Sequence, residues 1–222
     1  MSRILINQVS EHSFFVKRSL MGAKPLADEA EREAWLAHLA STSYTRNRME
    51  AFLGDADLET IDDRLRLLRR EVMLTLIARD TTGAADYPEV VETMSDLAEV
   101  ALQKVIAVHA RQLARRHGVP MSPLGVPQDL MVVGMGKLGG RELNVSSDID
   151  LIFVFDEQGQ CQATDEFPSP RKPISNFEFF EKLAKKIIPA LSDLSGAGFV
   201  FRVDMRLRPN GDSGPIVISS DM

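Results

Sequence analysis

A chain of 222 residues suits one large domain or two small ones. Its 44% hydrophobic and 26% charged residues are ordinary for a globular protein, and its formal net charge of -6 argues against broad electrostatic binding to nucleic acid or anionic membrane. One cysteine, Cys161, excludes an intrachain disulfide and fits a reducing compartment. The first twenty residues lack the apolar stretch of a signal peptide, and no window approaches the roughly 18 apolar residues of a membrane span. A cytoplasmic location follows by default, with neither nucleic acid nor membrane as a partner.

Residues 1–24 have weak periodicity, and residues 25–118 read as helix after helix. In DEAEREAWLAHLA, Asp28 and Glu31 have capping-box spacing. In TIDDRLRLLRREVMLTLIARD, Ile61, Leu65, Leu68, Val72, Leu76 and Ile77 form one stripe at helical spacing. Asp62, Arg66, Arg69 and Arg70 fall on the other face and read as a solvated surface. A third helix follows Pro88, with Val91, Met94, Leu97, Ala101, Leu102, Val105 and Ile106 as its stripe. Arg115, Arg116 and His117 suit its last turn and Gly118 its C-cap. This helical segment, 1–117, is followed by a proline- and glycine-rich linker, GVPMSPLGVPQ, over 118–128.

From 129 to 222 the character changes to an α+β core. LMVVGM (130–135), DIDLIFVFD (148–156), GFVFRVDMRLRP (198–209) and PIVIS (215–219) read as strands. DEQGQCQATDEFPSPRKP (156–173) is polar, aperiodic and long, which predicts a mobile loop. Ser175 and Glu178 cap a helix whose stripe is Phe180, Leu183, Ala184, Ile187, Ile188 and Leu191, and Pro189 is expected to kink or loosen its end.

Gly134, Gly136 and Gly139 have the G-x-G-x-x-G spacing of a dinucleotide fingerprint. That fingerprint needs a crossover helix of about a dozen residues or more to a parallel strand. Only the seven residues Arg141–Ser147 are available, so the connection suits adjacent antiparallel strands. A P-loop fails as well, because Leu138 follows Lys137 and Met131 replaces the first glycine. The aspartates are more informative. Asp148 and Asp150 share one strand face, while Ile149 and Leu151 face the core. Arg202, Asp204, Arg206 and Arg208 share a face of the later strand. If the two strands are neighbours, three carboxylates converge, and their repulsion calls for a cation. Hard oxygen ligands suit Mg²⁺ together with substrate phosphates, which the arginines would meet. Gly139 and Gly140 would let backbone N–H groups approach a phosphate. A lone D-x-D is common in surface turns; the glycine pair, the apolar strand and the third aspartate together point to nucleotidyl transfer.

GMGKLGGRELNVSSDIDLIFVF and FRVDMRLRPNGDSGP resemble the bifunctional glutamine synthetase adenylyltransferase/adenylyl-removing family, within the DNA polymerase beta-type nucleotidyltransferase superfamily. Members are much longer and hold two such catalytic domains in tandem, so this chain, with one motif set, is expected to be a fragment. Met135, Ile149, Met205 and GDSGP (211–215) are similar to the N-terminal, adenylyl-removing half. The resemblance implies phosphorolysis: orthophosphate attacks AMP on a tyrosine of adenylylated glutamine synthetase, releasing ADP. It implies Asp148, Asp150 and Asp204 as catalytic metal ligands for Mg²⁺. Arg206 and Arg208 would neutralise phosphate or nucleotide, and Gly139, Gly140 and Ser147 would line a phosphate cradle. Lys137 is either a further phosphate contact or an exposed hairpin lysine, and Arg202 flanks the site. Met205 and Phe199–Phe201 read as core. His12, His38, His109 and His117 lack metal-ligand spacing, and Cys161 has no evident base. In the long family members glutamine and the PII signal protein are the expected effectors. The alternatives are the transferring half, another nucleotidyltransferase, and a truncated fragment without chemistry.

Overall fold

The computed structural model describes Ser13, residues 29–196 and residues 198–220. The Asp28–Glu31 capping pair therefore lies partly outside the described residues. Among the described residues four helices come first: α1 (Glu29–Ser41), α2 (Arg46–Leu53), α3 (Ile61–Thr81) and α4 (Tyr87–His117). Each later start has a physical cause. Thr45 accepts from the Arg48 amide at the head of α2. Ahead of α3, Asp57 Oδ1 accepts from the amides of Glu59 and Thr60. Asp86 caps α4 through the Glu89 amide, which puts Pro88 at the second helical position, one later than expected. Ile61, Leu65, Leu68, Val72 and Leu76 are buried as their spacing predicts, and Ile77 packs at the margin.

The charged face of α3 is not wholly solvated. Arg66 is 4% exposed. Its Nε donates to the Gly198 carbonyl and its Nη2 to that of Asp193, both at 2.9 Å. The expectation missed this because a charge reads as solvated, yet Met73, seven residues on and on the same side of α3, is also buried.

Gly118 ends α4 as expected, with φ +87. An added Cβ there would lie 2.4 Å from the Gln162 carbonyl oxygen, so only glycine lets the helix end against the next strand pair. That pair is β1 (Val119–Met121) and β4 (Gln160–Gln162), antiparallel. The segment 118–128, read as a linker, thus contains a strand. The segment 156–173, read as a mobile loop, contains its partner and is tied down by Arg171 and Lys172 amides donating to the Arg116 carbonyl. Three-residue strands are too short to declare a period of two.

The main sheet is mixed, as the α+β class requires. β2 (Met131–Met135) runs antiparallel to β3 (Ile149–Phe155), joined through α5 (Gly136–Gly139), one short turn of helix. β3 alternates, with Ile149, Leu151, Phe153 and Phe155 buried and Asp150 on the half-exposed face. Its other edge is shared. β5 (Val203–Asp204) runs parallel beside Ile149–Asp150, and β6 (Val217–Ser219) runs parallel beside Phe153–Phe155. The two are one edge strand interrupted by residues 205–216. The clean alternation of GFVFRVDMRLRP had predicted a longer strand. It stops at Asp204 because the Arg206 amide donates to Asp204 Oδ1 at 2.8 Å and turns the chain.

α6 (Asn176–Ser192) covers the inner face of the sheet. Ser175 accepts from the Glu178 amide, and Phe180 stacks on Phe155 with ring centroids 5.1 Å apart. The helix continues through Pro189 to Ser192, and Ala190 and Leu191 stay buried beyond it. Packing therefore holds the last turn despite the missing N–H. One continuous core joins α2–α4 to the sheet and α6. No helix among the described residues is long and apolar enough to cross a membrane.

Candidate active site

The register of the sheet brings two of the three aspartates together. Asp150 and Asp204 are direct partners on adjacent parallel strands, so their side chains leave the same face. On its other side Asp150 is paired with Met135, the residue before α5. Asp148 lies just ahead of β3. The Ile149 amide between the two aspartates donates to the Arg202 carbonyl at 2.9 Å, fixing β5 to the start of β3.

The carboxylates do not meet as one group. Among the described residues no three His, Cys, Asp or Glu side chains are gathered in a way that could hold a metal ion. Two of the aspartates are turned to arginines. Arg202 Nε donates to Asp148, and its Nη2 donates to the Ser146 carbonyl at 2.8 Å. Arg206 Nε donates to both Asp204 oxygens at 3.0 and 2.8 Å. That side-chain bond, with help from the Arg206 amide, holds the Asp204 carboxyl below the ordinary carboxylate range. Asp148 and Asp204 thus each take an arginine on the same surface, and Asp150 forms no ion pair among the described residues.

The glycines serve this arrangement. Gly136 has φ +52, and a Cβ on it would sit 2.9 Å from Asp150 Oδ2. Gly139 has an ordinary φ, but its Cβ would fall 2.5 Å from the Gly134 carbonyl oxygen, so it is needed for α5 to fold back on β2. The nearest atoms to a Cβ on Gly140 are at 3.6 Å, an ordinary contact. Of the remaining sequence candidates, Ser147 Oγ bonds to Asn144 Oδ1 at 3.0 Å and shapes the turn before Asp148. Lys137 is exposed and forms no ion pair among the described residues. Arg208 does not share a strand face with Asp204. Its Nη1 donates to the Met205 carbonyl at 2.7 Å and its Nε reaches the Gly214 carbonyl at 3.5 Å, so it staples the loop 205–214. Arg206 likewise sits in the turn after β5, wrapped back onto Asp204 itself. Val200 and Phe201 are buried as expected, and Met205 packs at the core margin. Cys161 is buried, which pushes its thiol up to about 11 and leaves it unreactive.

Sequence reasoning missed the supports that the helices supply. Arg69 of α3 lies over the Phe199 ring at 4.7 Å, and Arg202 lies near the same ring at 5.9 Å. Burial, then the charge of Arg202, lowers Arg69 to about 10, and its Nε is buried without a partner among the described residues. Arg141, directly after the glycine pair, has φ +56. It is held there by Asp96 and Glu99 of α4, at 2.8 and 2.5 Å, and Arg46 of α2 holds the same two acids. A non-glycine residue in the left-handed region costs about 1–3 kcal/mol, which this four-residue ion network offsets. The available signal was the charge following Gly139-Gly140, where a turn ends.

A family model for glutamate-ammonia ligase adenylyltransferase matches residues 5–222. Similar proteins are bifunctional glutamine synthetase adenylyltransferase/adenylyl-removing enzymes. That of Aromatoleum aromaticum is 53% identical over 176 residues, 78% of this chain and 18% of the relative. That of Burkholderia mallei is 43% identical over 215 residues, 95% of this chain and 22% of the relative. That of Nitrosomonas eutropha is 40% identical over 226 residues, 98% of this chain and 23% of the relative. The chain thus spans about a fifth of the length of the relatives it matches. With the fold, the sheet register and these matches together, the chain belongs to the glutamate-ammonia ligase adenylyltransferase family.

Proposed function

We propose that this chain carries a nucleotidyltransferase centre that removes AMP from a tyrosine of adenylylated glutamine synthetase by phosphorolysis. The observation that carries the reading is the side-by-side placement of Asp150 and Asp204 in a member of this family, with Asp148 just ahead of β3. The donor set fits Mg²⁺: hard carboxylate oxygens, one with no arginine on it and two on arginines that are mostly exposed. Exposed ion pairs are worth at most about 1 kcal/mol, so a cation displaces them at small cost. Asp148, Asp150 and Asp204 would hold the metal, whose charge, when bound, stabilises the phosphorus undergoing transfer.

The chain's own groups position the rest. Arg202 and Arg206, once released from the aspartates, are placed to neutralise the incoming phosphate and the nucleotide. Gly139, Gly140 and Ser147 line the approach to Asp148, and Lys137 stands exposed beside them. An oxygen of orthophosphate bonds to the AMP phosphorus, and the bond to the tyrosine oxygen breaks. The phenolate leaves with the electron pair and takes up a proton, giving ADP and free tyrosine. Orthophosphate is already anionic, so positioning and neutralisation outweigh general-base help. The direction rests on the resemblance of Met135, Ile149, Met205 and residues 211–215 to the removing half.

The test is incubation of the chain with adenylylated glutamine synthetase and Mg²⁺, with and without orthophosphate, and separation of the nucleotides. ADP appearing only with phosphate is expected. AMP as product makes water the nucleophile, and transfer from ATP to unmodified enzyme reverses the assigned direction. Either result overturns the proposal, as does no product at all.

A further inference from the structure

A basic groove of about 420 Å³ lies between the last turns of α4 and the middle of α6. Arg116, Lys172, Lys182, Lys185 and Lys186 line it with His117, and among the described residues no acidic side chain does. It shares no residue with the aspartate site. The bland accounts of these charges cover only some of them. Arg116 complements the C-terminal end of the α4 dipole. Lys182 and Lys185 pair with Glu178 and Glu181 one turn earlier, at 3.4 and 2.7 Å. Lys186 and Lys172 have neither excuse, and neither they nor Arg116 forms an ion pair among the described residues. Lys172 and Lys186, with neither account, and Arg116, without an ion pair among the described residues, therefore meet in one concavity of a chain whose net charge is -6.

The groove is also fixed in place. His117 is buried, and its Nδ1 lies 2.6 Å from the Lys172 carbonyl, so this nitrogen carries the hydrogen and donates. The Arg171 and Lys172 amides donate to the Arg116 carbonyl, at 3.0 and 3.1 Å. The end of α4 and the strand of chain carrying Lys172 are thus one unit, and the α6 lysines face it from a helix anchored in the core. Gln112 and Leu113 also line the groove.

We propose that this groove binds a small anion carrying two or more phosphoryl groups. Its volume is that of a small-molecule pocket. Lysines outnumber arginines four to one, and lysine meets phosphate as a point charge, whereas carboxylate is better served by the arginine fork. Among the described residues no Phe, Tyr or Trp lines the groove, so they offer a base nothing to stack on, and recognition is of charge. The inference does not depend on the reaction assigned to the aspartates.

The test is calorimetric titration of the whole chain with tripolyphosphate and, separately, ATP, in EDTA so that metal-dependent binding at the aspartates is silent. Both probes are expected to bind alike, and more weakly as salt rises. Lys172→Glu with Lys186→Glu is expected to weaken binding by at least about tenfold, since like charge then faces the anion. Asp148→Asn with Asp150→Asn is expected to leave it unchanged. Arg116→Gln gives a second, milder reading, and circular dichroism checks the fold of each variant. No heat at about 1 mM tripolyphosphate overturns the proposal. So does binding that survives the folded double charge reversal, or ATP binding far more tightly than tripolyphosphate. Binding of polyglutamate without tripolyphosphate also overturns it and makes the groove a surface for an acidic protein.

Discussion

Two sets of arginines differ in what holds them. Arg66 and Arg141 belong to the joint between the helices and the sheet: the first is buried on backbone carbonyls, the second clamped by two acids at a strained backbone. Arg202 and Arg206 lie at the sheet edge, with side chains 58% and 76% exposed, on the aspartates themselves. Arg66 is itself 4% exposed where it meets the Asp193 and Gly198 carbonyls, so that contact is largely shut off from solvent. An exposed carboxylate can exchange its arginine for water, salt or a cation, so the second kind is replaceable. The same residue type thus builds a rigid frame and a set of charges that can be set free.

Asp150→Asn gives the largest contrast. It is expected to lower phosphorolysis by at least about a hundredfold while leaving the melting temperature unchanged or raised, since it removes one of the neighbouring negative charges. A melt well below that of the parent chain, without metal, would make Asp150 structural. Arg66→Ala is the frame's counterpart. Removing the buried guanidinium and its bonds to the Asp193 and Gly198 carbonyls is expected to cost about 2–3 kcal/mol in urea unfolding. A loss under about 0.5 kcal/mol would show that water replaces the guanidinium and that the frame is softer than drawn. Gly136→Ala lies between the two sets. Its φ of +52 and the Asp150 oxygen 2.9 Å away are expected to cost about 1–2 kcal/mol and to reduce activity with it. Full activity would mean that the Asp150 carboxylate is free to move aside.

Arg206→Ala is the smallest change. Arg206 depresses the Asp204 carboxyl, so the stability it lends is present above the unfolded value of about 3.9 and is lost as pH falls through the lower folded one. In the variant the Asp204 titration followed by NMR is expected to move up toward the ordinary range. An unmoved midpoint would sink the claim that this pair is what shifts it.

Much of this was legible in the sequence, for reasons particular to each element. α3 and α4 run for 21 and 31 residues, long enough for a 3.6-residue period to show. The seven residues after the glycines are too few for a crossover, and β2 and β3 are antiparallel neighbours. Alternation put Ile149 and Leu151 inside and Asp150 outside. β1 and β4 escaped notice because three residues carry no period, and Arg66 because a charge on a stripe beside Met73 looks solvated. Arg206 and Arg208 were placed on a strand face by an alternation that the Asp204 carboxylate itself interrupts. Side chain-to-backbone bonds of that kind are local, but nothing in a hydropathy pattern announces them.

The divided edge of β3 sets what the loop after Asp204 is able to do. On one side of the gap the edge strand is pinned at Ile149–Asp150, and on the other at Phe153–Phe155, so residues 205–216 leave and rejoin the same rail with only Leu151 and Ile152 between. Both ends of the excursion are therefore surveyed in, whatever its contents. Lengthening the loop beyond Arg208 would therefore leave the strand position of Asp204 where its pairing with Asp150 sets it.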